Sequence, residues 1–183
     1  MVKAVPREPR GVALILQAAA FAAHKHRDQR RKDHAASPYI NHPITLAEIL
    51  SGLGGVRRAD VLAAALLHDT LEDTETTSAE LKAAFGPKIT RIVEEVTDNK
   101  RLPKQKRKEL QVTHAAHISE SAKLVKLADK IANLSDIITN PPAEWSLNRK
   151  RKYFDWAKRV IDQVRGTNAK LERRFDALYR QRP

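Results

Sequence analysis

The chain predicts an all-α, single-domain helical bundle of about eight helices, and three observations lead there. Apolar residues recur at three- and four-residue spacing along nearly all of its 183 residues. No segment alternates with the period of two that a half-buried strand requires, and none repeats. Prolines and glycines punctuate the periodic segments as helix stops, and no linker is long enough to separate domains.

The elements follow in order. Leu14, Ile15, Ala18, Ala19, Ala22 and Ala23 predict a first helix reaching to about His26. Arg27 to Ser37 is polar and reads as an exposed loop. Pro43 suits the first position of a second helix, which Gly52, Gly54 and Gly55 close. A third helix carries Val61 to Asp73, apolar in its first half and acidic in its second. Thr77 and Glu80 read as a capping box for a short helix that Gly86 ends. Ile89, Ile92, Val93 and Val96 form the next stripe, and Pro103 precedes a helix from about Lys104. Leu124, Leu127, Ala128, Ile131, Leu134 and Ile138 share one face of a helix that Pro141 and Pro142 stop. Leu147–Val164 and Asn168–Arg180 complete the bundle, with Gly166 between them.

Composition narrows the class. Apolar residues make up 42% and charged residues 31%, the balance of a soluble globular domain. No apolar run approaches the roughly 18–20 residues that span a bilayer, and basic Met1–Arg10 lacks a signal-peptide core. Cysteine is absent, which excludes disulfides, thiolate ligands and cysteine nucleophiles. These features predict a cytoplasmic protein without a membrane partner. The net charge of +12 calls for an anionic one. Lys100 to Lys108 and Arg149 to Lys152 are basic runs, but aromatics are only 5% and no reading helix or zinc finger accompanies them. Solvated helix faces explain those runs more simply than a nucleic-acid-binding module does.

The chemistry concentrates in Ala65-Leu66-Leu67-His68-Asp69-Thr70-Leu71-Glu72-Asp73-Thr74. On a helix His68 and Glu72 are one turn apart, and so are Asp69 and Asp73. A carboxylate at the end of an apolar helix is costly unless it is paired or holds a metal. His42 stands just before the second helix, and Asp129 follows Ala128 on the apolar side of another. Alone, His42 reads as a loop histidine and Asp129 as a partner for a lysine. Together, two imidazoles and two carboxylates suit manganese, iron or zinc.

Several segments resemble one family. Tyr39-Ile40-Asn41-His42-Pro43, the run from Ala65 to Thr74, Phe85-Gly86-Pro87 and Lys126-Leu127-Ala128-Asp129-Lys130-Ile131-Ala132-Asn133-Leu134 are similar to the hydrolase half of RelA/SpoT enzymes. From about Ala18 to Arg182 the chain resembles the small alarmone hydrolases of that family, including those of metazoans, which are single HD-type domains. The resemblance leaves no room for a synthetase domain. It implies manganese on His42, His68, Asp69 and Asp129, a catalytic acidic pair in Glu72 and Asp73, and nucleotide contacts from Arg31, Lys32, Asn133, Arg149 and Tyr153. The implied reaction releases pyrophosphate from the ribose 3′ position of guanosine tetra- or pentaphosphate. Removal of the 2′-phosphate of NADPH, an activity of related small hydrolases, is its rival. One departure stands out. The long enzymes read Asp-Arg-Leu-His-Asn-x-Arg where this chain places Ala132 and Ser135 around Asn133.

Overall fold

The computed structural model describes residues 11–183, and the basic Met1–Arg10 stretch lies outside them. Among the described residues the helices are α1 (Val12–Lys25), α2 (Asn41–Glu48), α3 (Ala59–Leu67), the single turn α4 (Thr70–Asp73), α5 (Ser78–Val96), α6 (Lys104–Ala115), α7 (Glu120–Thr139), α8 (Leu147–Asp162) and α9 (Ala169–Tyr179). The fold is an all-α bundle of eight helices plus that one turn. Strand-like pairing among these residues is confined to a bridge between Arg30 and Pro38. No helix among them is long and apolar enough to cross a membrane.

Two helices make the core. Every residue from Val61 to Leu67 on α3 is buried, as expected of a helix apolar on all sides, and it packs on α1, α2, α5 and α7. On α7, Leu124, Leu127, Ala128, Ile131 and Leu134 form the expected stripe against α2, α3, α5, α8 and α9. Burying each leucine-sized side chain there contributes roughly 1.5–3 kcal/mol. Beyond α2 the chain continues as a π-helical turn, Ile49–Leu53. At its end a Cβ on Gly54 would meet the Leu50 carbonyl at 2.7 Å and Leu171 of α9 at 3.1 Å, so only glycine allows this close approach.

Two expectations need correction. The third helix does not run to Asp73; α3 stops at Leu67 and α4 restarts at Thr70. The stop is stabilised by side chains that take over its carbonyls: His68 Nδ1 lies 2.9 Å from the Ala65 oxygen, and Thr70 Oγ1 donates to Leu67 at 2.7 Å. The capping box is half formed. Thr77 Oγ1 accepts from the Glu80 amide at 3.2 Å, but the Glu80 carboxylate turns to Lys25, 2.9 Å away. Gly86, at φ +77°, ends the first arm of α5 as expected, and Pro87 opens a second arm.

Candidate metal centre

The stop between α3 and α4 turns His68 and Asp69 toward His42 on α2. One ligand-type atom from each lies within 4.8 Å of the other two, and both imidazoles are buried. The Ala65 carbonyl can only accept, so His68 Nδ1 carries a proton and Nε2 is left for a metal or a second proton. Nε2 stands 2.8 Å from Asp69 Oδ2 without hydrogen-bond alignment, the arrangement of two donors converging on a cation. These residues fit a divalent ion. Burial disfavours a charged His68, but the Asp69 carboxylate outweighs it and pushes the imidazole up to about 9. Asp69 is held well below the usual carboxylate range, against burial, chiefly by His68. Tyr39 donates its hydroxyl to Asp69 Oδ2.

Asp129 approaches from α7, with Oδ1 3.3 Å from His42 Nε2. It stands beside the tight set of three, and its oxygens are engaged: Lys130 Nζ reaches Oδ2 at 2.8 Å, and Asn133 Nδ2 donates to Oδ1. Burial opposes its charge, yet Lys130 and His42 hold Asp129 well below the ordinary range. Lys130 is itself buried, 4.5 Å over the Trp156 ring.

The two other acids sit in unlike surroundings. Glu72 accepts from the Asp98 amide at 3.1 Å and lies 3.4 Å from Arg107. Burial, with Asp98, Asp69 and Asp73 nearby, pushes its carboxyl up to about 7. Asp73 takes hydrogen bonds from Gln29 at 3.0 Å and from Lys100. Arg31 pairs with Asp136 and lies 5.7 Å from the Tyr39 ring centre.

A two-lobed trough adjoins these groups. One lobe, about 590 Å³, is lined by Arg31, Lys32, His42, Asp73 and Asn133 among others. The second, about 500 Å³, is lined by Lys104, Lys108, Arg149 and Trp156, and the lobes share Lys32, Trp145 and Tyr153. Arg149 lies 4.4 Å over the Trp145 ring. All five residues expected to touch nucleotide thus stand in its walls. Glu72 does not line either lobe, and Ala132 and Ser135 are also outside both, Ala132 being buried in the core. Tyr39, Lys130, Asp136 and Trp156 join the site beyond the residues that the sequence singles out. Tyr39 and Lys130 were legible as neighbours of His42 and Asp129; Asp136 and Trp156 carry no local signal.

Buried imidazole and carboxylate donors at the break of an apolar helix, beside a cationic trough, describe an HD-type centre. Residues 18–153 match the family model of the HD domain, and the chain belongs to that family. Within it, the chain is similar to the guanosine-3′,5′-bis(diphosphate) 3′-pyrophosphohydrolase MESH1 of Xenopus tropicalis, 55% identical over 167 residues, covering 91% of this chain and 93% of that one. The Homo sapiens MESH1 is 54% identical over 170 residues, covering 93% and 95%. The solved structure of a metazoan SpoT orthologue, described as hydrolysing ppGpp, matches with a TM-score of 0.91 at 47% identity over 95% and 98% of the two chains.

Proposed function

We propose that the chain is a manganese-dependent hydrolase of guanosine 3′,5′-bis(diphosphate) and its pentaphosphate, yielding GDP or GTP and pyrophosphate. The observation that carries this reading is the His42–His68–Asp69 cluster whose His42 stands in the wall of a trough that Arg31, Lys32, Lys104, Lys108 and Arg149 also line. The names of the MESH1 relatives, matched over nearly their full length, supply the substrate.

His42, His68, Asp69 and Asp129 would hold the ion, which when bound would neutralise phosphate charge and acidify water. Glu72, whose carboxyl burial pushes up to about 7, takes a proton from the attacking water, whose oxygen forms a bond to the phosphorus on the ribose 3′ oxygen. The bond from that phosphorus to the 3′ oxygen breaks, and Asp73, ionised at the outset, relays to the leaving alkoxide the proton that Glu72 took from the water. Arg31 and Lys32 meet phosphate oxygens, Arg31 being prealigned by Asp136. Arg149 and Trp145 offer a stacking face for the base, and Tyr153 and Asn133 bound the ribose side. All of this is assigned to one domain, residues 1–183, acting in the cytoplasm on a small nucleotide, with no nucleic-acid partner.

The test is product identification. With manganese, the tetraphosphate should give GDP and pyrophosphate, and excess chelator should stop the reaction. In equal-concentration competition, a larger kcat/KM for NADPH, with NADH and phosphate as products, would replace the substrate assignment and leave the centre intact.

A further inference from the structure

His26, at the end of α1, is 2% exposed, and its Nδ1 lies 2.6 Å from Gln29 Oε1. At the other end of that amide, Gln29 Nε2 donates to Asp73 Oδ2 at 3.0 Å. An ionised carboxylate only accepts, so the NH2 end of Gln29 must face Asp73 and the carbonyl end must face His26. A carbonyl oxygen in turn needs an N–H, so His26 carries its proton on Nδ1. Its Nε2 is then buried with no partner. An orphaned ring nitrogen costs stability, and the fold tolerates it at the position that sets the direction of the Gln29 amide.

The backbone reinforces this arrangement. The Gln29 amide donates to the His26 carbonyl at 3.0 Å, and the Gln29 carbonyl accepts from Tyr39 at 3.1 Å. Gln29 is therefore held on both sides, between the helix that carries His26 and the segment that carries Tyr39 and His42.

We propose that His26 and Gln29 are a positioning pair for Asp73: His26 fixes which way the Gln29 amide points, and Gln29 holds the Asp73 carboxylate toward the reaction centre. This rests on the reading of Asp73 as a proton-transfer group. His26 lines neither lobe of the trough, and Gln29, which does line one, acts in this role through Asp73 and not through substrate. The pair lies outside the ion-binding set and acts only through the orientation of one carboxylate.

The experiment uses the manganese-loaded full chain, with whichever of guanosine tetraphosphate and NADPH it turns over faster, and the 15N-histidine-labelled chain in parallel. Gln29→Leu keeps a branched side chain, one bond shorter, and removes the amide; kcat should fall about a hundredfold with bound metal little changed. His26→Asn keeps a donor near Nδ1 but loses the ring, whereas His26→Phe keeps the ring and loses the donor. Positioning requires His26→Asn to retain the higher kcat even where it is the less stable protein. A purely structural role gives the reverse order and overturns the proposal. The 15N shifts should show His26 as the Nδ1–H tautomer in the wild type, changing to Nε2–H in Gln29→Leu; an Nε2–H wild type also overturns it. Asp73→Asn separates the two readings. If it loses its rate and Gln29→Leu does not, the pair is wrong and Asp73 stands. If Asp73→Asn keeps full rate, the reading of Asp73 has failed and the pair falls with it.

Discussion

Asp69 and Glu72 stand three residues apart at the turn α4, Asp69 against His68 Nε2 at 2.8 Å and Glu72 against the Asp98 amide at 3.1 Å. One turn of chain thus carries a carboxyl locked in its charged form and another pushed up to about 7. Splitting two acids in this way separates ion binding from proton transfer.

The first prediction concerns pH. Glu72 must be ionised to accept a proton, so kcat should rise with pH through a limb assigned to it, near 7 and lower where bound cation favours the carboxylate. The folded value is raised above the ordinary 4.5, so the Glu72 contribution to stability is present below that value and lost as pH rises through about 7. Glu72→Gln should remove the limb and slow turnover about a hundred- to ten-thousandfold while keeping the metal. A pH–rate profile that keeps the limb in this variant contradicts the assignment.

The second concerns the ion. His68→Ala and Asp69→Ala should lose bound metal and turnover together, checked by elemental analysis of dialysed protein. In the metal-free chain His68 is raised from 6.5 to about 9. Its contribution to stability is then full below 6.5 and lost as pH rises through about 9, while metal affinity grows as that proton leaves. At a hundred times its Kd the ion should add about 2.7 kcal/mol of stability to the wild type, read as a rise in Tm, and none to His68→Ala.

Much of this centre was legible from the chain. Helical periodicity placed α1, α2 and α6–α9 within a few residues, because each has one apolar face and a clear stop. The break after Leu67 was not, because Ala65 to Leu71 is continuously compatible with helix. What ends α3 is the side-chain chemistry of His68 and Thr70, visible only once their acceptors are known. His42, His68 and Asp69 stood out as costly groups in apolar context, and the fold unites them. The link of Arg31 to Asp136 joins residues 105 positions apart, a distance over which local pattern is silent.

The third prediction concerns substrate affinity. Arg31→Ala should mainly raise KM, since a wall residue binds ground and transition states alike. Arg31→Lys should recover part of the loss, because it keeps the charge but not the planar fork. Steady-state kinetics of the two variants check this; a fall in kcat at constant KM would make Arg31 a transition-state group instead.

The fourth concerns the fold. Asn168 caps α9, its Oδ1 accepting from Lys170 and Leu171 at 3.1 Å while its Nδ2 donates to the Gly54 carbonyl at 3.0 Å. Asn168→Ala should cost about 1–2 kcal/mol in urea unfolding and leave metal content unchanged.

Trp145 and Trp156 are the only tryptophans in the chain, and both stand in the wall of the same lobe. Lys108 and Lys130 lie 4.7 and 4.5 Å from the Trp156 ring, and Arg149 covers Trp145. Each indole is therefore bathed in a local electric field that an incoming polyanion must change. The emission of the unlabelled protein becomes an optical gauge of the trough's filling. Stopped-flow mixing can follow nucleotide arrival on the millisecond scale, apart from the bond cleavage that follows.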